Sequence, residues 1–210
     1  MRFADLDAVS VDGYGTLVRL VDPVPMLAGA LAERGVDREP DVVRAAFLAE
    51  VAYYRPAALE GRDAASLASL RQECTRVFLD AADADLDPTS FIDAFVGAIV
   101  MEPEAGAVET LRGLRARGLE LAVASNWDIG LTEHLERLGL ASLFSAIATT
   151  AEAGAPKPQP AVFRLALERL GVDAARALHV GDEPADEEGA AAAGMRFAPA
   201  PLATAFEGWT

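Results

Sequence analysis

Residues 8–17, Ala-Val-Ser-Val-Asp-Gly-Tyr-Gly-Thr-Leu, decide how the rest of the chain is interpreted. The stretch opens with a short β-prone run, 8–11, that ends at Asp12, and the turn-forming residues 13–16 follow it. An aspartate at the end of a strand is most often a turn or capping residue, so Asp12 alone indicates little about function. Its meaning depends on the residues that end the other strands.

Two further apolar runs also end in polar residues. Residues 119–124 lead into Ser125 and Asn126, and residues 177–180 lead into Gly181 and Asp182. Weaker strand patterns lie at 145–149 and 195–198, and helical patterns alternate with the strands at about 104–117, 129–139, 159–170 and 185–193. This alternation predicts an α/β fold with a Rossmann-like parallel sheet wrapped by helices. Because the carboxyl ends of parallel strands share one edge of a sheet, we expect the polar strand ends to line a ligand crevice.

The segment 19–103 has a different character. It has no strand-like run, and its amphipathic patterns predict helices at about 25–34, 40–57, 63–83 and 88–100. A connection of about 85 residues is far longer than an ordinary crossover between parallel strands. We therefore expect a helical subdomain at 19–103 that is inserted into an α/β core formed by 1–18 and 104–210.

Composition and charge exclude several classes of protein. The 210 residues include 33 acidic and 18 basic side chains, a net charge of -15, which is unsuited to nucleic acid or to an anionic membrane. The single cysteine, Cys74, excludes an internal disulfide framework and a multi-cysteine zinc site. Asp5 and Asp7 interrupt any signal peptide, and no apolar stretch reaches about 18 residues. We expect a soluble cytoplasmic protein.

Four segments of the chain resemble the four motifs of the haloacid dehalogenase-like (HAD) hydrolase superfamily, and they occur in the same order as in that superfamily. Residues 12–17 resemble the first motif, with Asp12 at the position of its nucleophile, and residues 125–126 resemble the second. Lys157, which lies between two prolines, resembles the third motif, and residues 181–186 resemble the fourth, Gly-Asp-x-x-x-Asp. The inserted helices resemble the family's helical (C1) cap.

The resemblance implies a Mg²⁺-dependent hydrolase of a small, anionic phosphorylated metabolite. Asp12 would attack phosphorus and form a covalent aspartyl intermediate. The ligands of Mg²⁺ would be Asp12, the backbone carbonyl of Tyr14, and Asp182, since this ion prefers hard oxygen donors. Lys157 would balance the negative charges, and Asp186 would order Lys157 or a metal-bound water.

Four residues are expected to hold the phosphoryl group. The hydroxyls of Thr16 and Ser125 would donate to its oxygens, as would the backbone N–H groups of the first-motif loop and of Asn126. Lys157 would contribute its positive charge. The two histidines are not expected to be ligands, and His179 is interpreted as a packing residue inside its strand.

Tyr14 departs from the pattern of family phosphatases, which have a second aspartate at this position as general acid and base. Asp128 and Glu152 are candidates to replace it, because both flank motif loops. The Asp-x-Tyr-Gly-Thr pattern also resembles the 2-haloacid dehalogenases, which need no metal and use an arginine from the cap. For that alternative, the candidate arginines are Arg44, Arg55 and Arg62.

The fourth motif favours the metal-dependent alternative. Dehalogenases of the family have a serine and an asparagine near the positions of Asp182 and Glu183. Acidic side chains crowded beside Asp12 would repel each other and an anionic substrate unless a divalent cation is bound. A third alternative is a degenerate member that binds a phosphorylated ligand without turnover.

Overall fold

The computed structural model describes residues 2–210. Its strands are β1 (Ala8–Val11), β2 (Val18–Leu20), β3 (Met101–Pro103), β4 (Glu120–Ser125), β5 (Ala146–Thr149), β6 (Ala177–Gly181) and β7 (Arg196–Pro199). Its α-helices are α1 (Val24–Ala32), α2 (Pro40–Ala57), α3 (Ala64–Ala81), α4 (Pro88–Ala98), α5 (Ala107–Ala116), α6 (Leu131–Arg137), α7 (Thr150–Ala153), α8 (Ala161–Leu170) and α9 (Pro184–Ala192).

Five strands form a parallel sheet in the order β5-β4-β1-β6-β7. The strands β1 and β6 are buried along their whole length, because helices cover the sheet and apolar side chains can point to either face. Helix α8 packs on β4 and β5, and α9 packs on β6 and β7. The predicted α/β, Rossmann-like fold is confirmed.

The described residues fall into two compact units. One consists of the residues up to Arg19 together with Glu102–Thr210, and it contains the five-stranded sheet. The other is Leu20–Met101, which contains α1 to α4. Its buried cluster includes Leu27 and Leu31 together with the stacked rings of Phe78 and Phe91. We call these two parts the sheet unit and the helical unit.

Capping residues explain where two helices of the helical unit begin. Asp63 accepts a hydrogen bond from the backbone N–H of Ser66 at 2.8 Å, and the two residues form a capping box at the start of α3. Asp87 accepts from the N–H of Thr89 before α4, whose first residue is Pro88.

The prediction that 19–103 has no strand is wrong at both ends. The strands β2 and β3 pair with each other where the chain passes from one unit to the other. Each has three residues, too few for an alternating pattern to be recognised, and β3 ends at a proline. Within residues 2–210, no helix is both long and apolar enough to cross a lipid bilayer.

Candidate active site

The loop after β1 is tightly folded and fixed to β6. The backbone N–H of Asp12 donates to the carbonyl of Val180 at 2.9 Å, which joins the first predicted motif to the strand that leads into the fourth. The Gly13 carbonyl accepts from the N–H groups of Leu17 and Val18. Among the described residues, no backbone N–H donates to the Tyr14 carbonyl. That oxygen is therefore available to a ligand, and the Tyr14 side chain is half exposed.

Lys157 connects two carboxylates from distant parts of the chain. Its Nζ lies 2.5 Å from Oδ1 of Asp12 and 2.6 Å from Oδ1 of Asp186, and all three side chains are buried. The backbone N–H of Lys157 donates to Oδ1 of Asn126 at 2.9 Å, so the residue after β4 positions the lysine loop. Three of the four predicted motifs thus meet at one ammonium group.

The charges of this cluster support one another. Burial works to lower the pKa of Lys157, but the neighbouring Asp12 and Asp186 outweigh it and raise that pKa, so the ammonium stays charged. Burial likewise works to raise the pKa of Asp186, yet the hydrogen bond with His179 and the charge and hydrogen bond of Lys157 hold it well below its usual range. Asp186 is therefore an ionised acceptor near neutral pH.

Asp182 brings a further carboxylate to the same place. Its Oδ1 accepts a hydrogen bond from the Thr16 hydroxyl at 2.9 Å. Burial and the charges of Asp12 and Asp186 raise the pKa of Asp182, against the lowering effect of the Thr16 bond. Burial is the largest of these effects, and the two neighbouring carboxylates add to it.

The donor atoms at this site suit a hard cation. Carboxylate oxygens of Asp12, Asp182 and Asp186 all lie within 4.8 Å of one another. Asp186 is already occupied by Lys157, by His179 and, through Oδ2, by the backbone N–H of Glu183. Asp12 and Asp182 retain free acceptor positions, so an oxygen-seeking ion such as Mg²⁺ fits between them better than a soft metal does.

The residues predicted to hold a phosphoryl group lie around this cluster. Ser125 is buried at the end of β4, and a Cβ on Gly13 would lie only 2.7 Å from its Oγ. The Thr16 hydroxyl donates to Asp182, and the Asn126 side chain holds the backbone of Lys157. The side chains of Thr16 and Asn126 are thus engaged in organising other site residues.

The structure also brings in two residues to which the sequence analysis gave no functional role. His179 is fully buried, with Nδ1 2.7 Å from Oγ of Ser10 and Nε2 3.1 Å from Oδ1 of Asp186. Burial lowers the pKa of His179 although Asp186 acts against it, so the ring is neutral near pH 7. The sequence contains one indication that Ser10 lies near the site. Side chains alternate along a strand, so Ser10 is expected on the same face as Asp12.

The two proposed substitutes for an acid/base at Tyr14 have structural contacts of their own. Glu152 accepts from the N–H of Thr149 in a capping box and pairs with Arg169 at 2.6 Å. Burial would raise the pKa of Glu152, but Arg169 and Thr149 lower it, which makes Glu152 a poor proton donor near pH 7. Asp128 accepts from the N–H of Gly130 at 2.6 Å before α6. Neither contact supports the acid/base role.

Comparison with known proteins identifies relatives. Residues 6–194 match the family model described as haloacid dehalogenase-like hydrolase. The haloacid dehalogenase-like hydrolase domain-containing protein 3 of Mus musculus is 48% identical over 91 residues, covering 43% of this chain and 36% of that protein. The phosphoglycolate phosphatase of Rhodospirillum rubrum is 40% identical over 104 residues, covering 49% of this chain and 42% of that protein.

A solved structure shows the same fold over almost the whole chain. The L-2-haloacid dehalogenase of Xanthobacter autotrophicus superimposes with a TM-score of 0.66 at 25% identity, covering 96% of this chain and 82% of that one. The matches to the two curated relatives, by contrast, span less than half of the length of those proteins.

Proposed function

The chain belongs to the haloacid dehalogenase-like hydrolase family, and on that basis we propose that it is a Mg²⁺-dependent hydrolase of small phosphorylated metabolites. The observation that carries this proposal is the position of Asp182 beside Asp12 and Asp186. Two carboxylates about 4 Å apart repel each other by roughly 4 kcal/mol at an effective dielectric of 20. The single ammonium of Lys157 offsets only part of this repulsion, and a divalent cation would offset the rest.

We assign the role of nucleophile to Asp12. Its Oδ1 is held by Lys157 at 2.5 Å, which fixes the rotation of the carboxylate and leaves Oδ2 to attack phosphorus. The attack would form an aspartyl-phosphate while the P–O bond to the leaving alcohol breaks and the alcohol takes a proton from water. Water would then hydrolyse the aspartyl-phosphate to inorganic phosphate and restore Asp12, so that one difficult displacement becomes two easier ones. Lys157 would also stabilise the charge on the transferring phosphoryl group.

The metal ligands we propose are Asp12, the Tyr14 carbonyl and Asp182. When bound there, Mg²⁺ would supply positive charge against the phosphoryl oxygens and the leaving group. Thr16 would orient Asp182 through its 2.9 Å hydrogen bond. Asp186 would act on Lys157, with which it makes direct contact.

Phosphoryl oxygens would be held by Ser125, by Lys157 and by backbone N–H groups of residues 13–16. Asn126 would contribute mainly by positioning Lys157, because its side-chain oxygen already accepts from the Lys157 N–H. For Thr16, whose hydroxyl donates to Asp182, the proposed contact with phosphate requires that the hydroxyl rotates or is shared.

Tyr14 favours a second candidate function, metal-independent dehalogenation of a 2-haloacid. The 25% identity to the Xanthobacter dehalogenase also supports it. Against it, the phosphatase of Rhodospirillum rubrum is more similar in sequence over the part that aligns. Arg44, one of the arginines that this alternative needs, pairs with Asp22 at 3.1 Å inside the helical unit. A non-catalytic phospholigand-binding protein is the third candidate, because the usual acid/base is absent.

We also propose that residues 19–103, which contain the helical unit, form the cap, and that 1–18 together with 104–210 form the hydrolase core. A cytoplasmic location is proposed from the single cysteine, which is typical of a reducing compartment.

One set of assays separates the candidates. The protein is given an activated aryl phosphate or a 2-haloacid, each with Mg²⁺ and with EDTA, and Asp12→Asn is the control in every arm. We expect phosphate release that needs Mg²⁺, is slow, and is abolished in the control, because an amide cannot form the intermediate. Halide release that persists in EDTA would replace the proposal with the dehalogenase. Mg²⁺ binding by calorimetry without any turnover would favour the non-catalytic protein.

A further inference from the structure

We propose that His179, which is hydrogen-bonded to Ser10, is a positioning residue that fixes the carboxylate of Asp186 and, through it, the ammonium of Lys157. This inference rests on the proposed function, in which Lys157 holds the nucleophile and the phosphoryl group. The inference assigns a role in the site to two buried side chains, Ser10 and His179, that are not part of the four motifs.

The contacts form a closed ring. Ser10 Oγ lies 2.7 Å from Nδ1 of His179, and Nε2 of His179 lies 3.1 Å from Oδ1 of Asp186. The same Oδ1 lies 2.6 Å from Nζ of Lys157, which in turn lies 2.5 Å from Oδ1 of Asp12. Ser10 and Asp12 are two residues apart in the sequence, so this series of contacts starts in β1 and returns to the residue that follows β1. All five side chains are buried.

These hydrogen bonds determine which nitrogen of His179 carries the proton. Asp186 is an ionised acceptor, because it receives the Lys157 ammonium and the Glu183 N–H. Nε2 must therefore be the N–H that donates to Asp186. The neutral ring then offers a lone pair at Nδ1, to which the Ser10 hydroxyl donates. Ser10 is compatible with the tautomer that Asp186 requires, because its hydroxyl can donate as well as accept.

Packing holds the imidazole in this orientation. The edge of the ring meets Phe163, with centroids 4.8 Å apart and an interplanar angle of 88°. Phe163 also lies 5.5 Å from Nζ of Lys157. A Cβ on Gly189 would lie 2.4 Å from a Phe163 ring carbon, and a Cβ on Gly181 would lie 2.3 Å from Cγ of Asp186. Both glycines leave room for this arrangement.

Without the donor at position 179, Asp186 would keep only the lysine and the Glu183 N–H as partners. The carboxylate could then turn away from Lys157, and the lysine would be held by Asp12 alone. Loss of such an outer partner in an active site typically lowers activity by about 10- to 100-fold. We expect the loss in kcat, with a much smaller change in Mg²⁺ affinity, because the hydrogen bonds of His179 go to Ser10 and Asp186, and neither of these is a proposed metal ligand.

The test compares two variants of the full-length protein. His179→Gln keeps an amide N–H near the position of Nε2, whereas His179→Leu has no donor. We expect kcat to fall about 10- to 100-fold in the leucine variant and to be largely restored in the glutamine variant. Equal losses in the two variants, or wild-type kcat in the leucine variant, would overturn the proposal.

Two measurements decide the inference without any turnover. Nitrogen-15 NMR of the wild-type protein should show His179 as the neutral Nε2–H tautomer, and an Nδ1–H tautomer would contradict the proposal. Crystal structures should show Asp186 rotated away from Lys157 in the leucine variant only. If the protein releases no phosphate but gives both of these expected results, the proposed function is contradicted and the positioning role of His179 is still supported.

Discussion

Gly15 and Asp182 approach so closely that a Cβ atom on Gly15 would lie 2.5 Å from Oδ2 of Asp182. Gly15 also has a φ of +83°, in the left-handed region that favours glycine. The backbone of the first motif therefore leaves room for the carboxylate of Asp182, which is one of the three metal ligands that we propose.

The first prediction is that Gly15→Ala abolishes Mg²⁺ binding and activity. Gly118→Ala is the matched control, since its φ is +81° and a Cβ there would have no neighbour within 4 Å. Both substitutions should lower the free energy of unfolding by about 1 kcal/mol through backbone strain. Calorimetric Mg²⁺ titration should show loss of affinity in Gly15→Ala alone, and equal affinity in the two variants would count against the proposed metal site.

The second prediction concerns the half-exposed Tyr14. Tyr14→Asp should raise kcat toward an aryl phosphate by about 10-fold or more, because a carboxylate can both donate and accept the proton. Tyr14→Asn has nearly the same size but cannot transfer a proton, so it should not share the gain. Steady-state phosphate release measures all three proteins. A gain in the asparagine variant would attribute the effect to space rather than to proton transfer.

The third prediction uses Glu50, a buried carboxyl of the helical unit. Burial raises the pKa of Glu50 from 4.5 to about 7, although a hydrogen bond with Cys74 lowers it. The folded protein therefore binds this proton more tightly than the unfolded chain does. The contribution of Glu50 to stability is greatest below pH 4.5 and falls as the pH rises to 7, by roughly 3 kcal/mol at most.

Glu50→Gln should accordingly raise the free energy of unfolding at pH 8 and change it little at pH 5. Denaturant titrations at the two pH values measure this difference. The exposed Glu33, changed to glutamine, is the control. A gain for Glu50→Gln that does not depend on pH would contradict the assigned pKa.

The fourth prediction is that removal of Leu20–Met101 leaves a folded sheet unit. The buried clusters of the two units have no residue in common: one contains Phe163 and Ala122, the other Phe78 and Leu31. We expect a cooperative thermal transition by circular dichroism, and retained activity toward an aryl phosphate with loss of selectivity among natural phosphates. A truncated chain without such a transition would mean that the sheet unit depends on the helical one.

Most of the fold could be predicted from the sequence because its signals are local. The apolar runs of β1, β4 and β6 and the helices of the helical unit lie within one or two residues of their predicted bounds. Helix α7 was missed, although Thr149 and Glu152 carry a capping-box signature, since a single turn has no periodicity.

The predicted site was less complete, because contacts between distant segments depend on strand register. Order along the chain was enough to bring Asp12, Lys157 and Asp182 together. It was not enough to pair Ser10 with His179, which are neighbours only because β1 and β6 align in that register. For the same reason, the sequence did not indicate that Thr16 donates to Asp182 or that Asn126 holds Lys157.

The position of β1 at the centre of the sheet has a consequence for how the chain is assembled during synthesis. Ala8 pairs with Glu120 and with Ala177, so β1 is synthesised before both of its partner strands and cannot pair until they have been made. The helical unit, by contrast, is complete once Met101 has emerged. We expect Leu20–Met101 to gain protection from hydrogen exchange before β1 does when the protein refolds, because closing such long loops is slow. Asp12, the proposed nucleophile, is thus synthesised before β4 and β6, and its position is fixed only after both strands have been made.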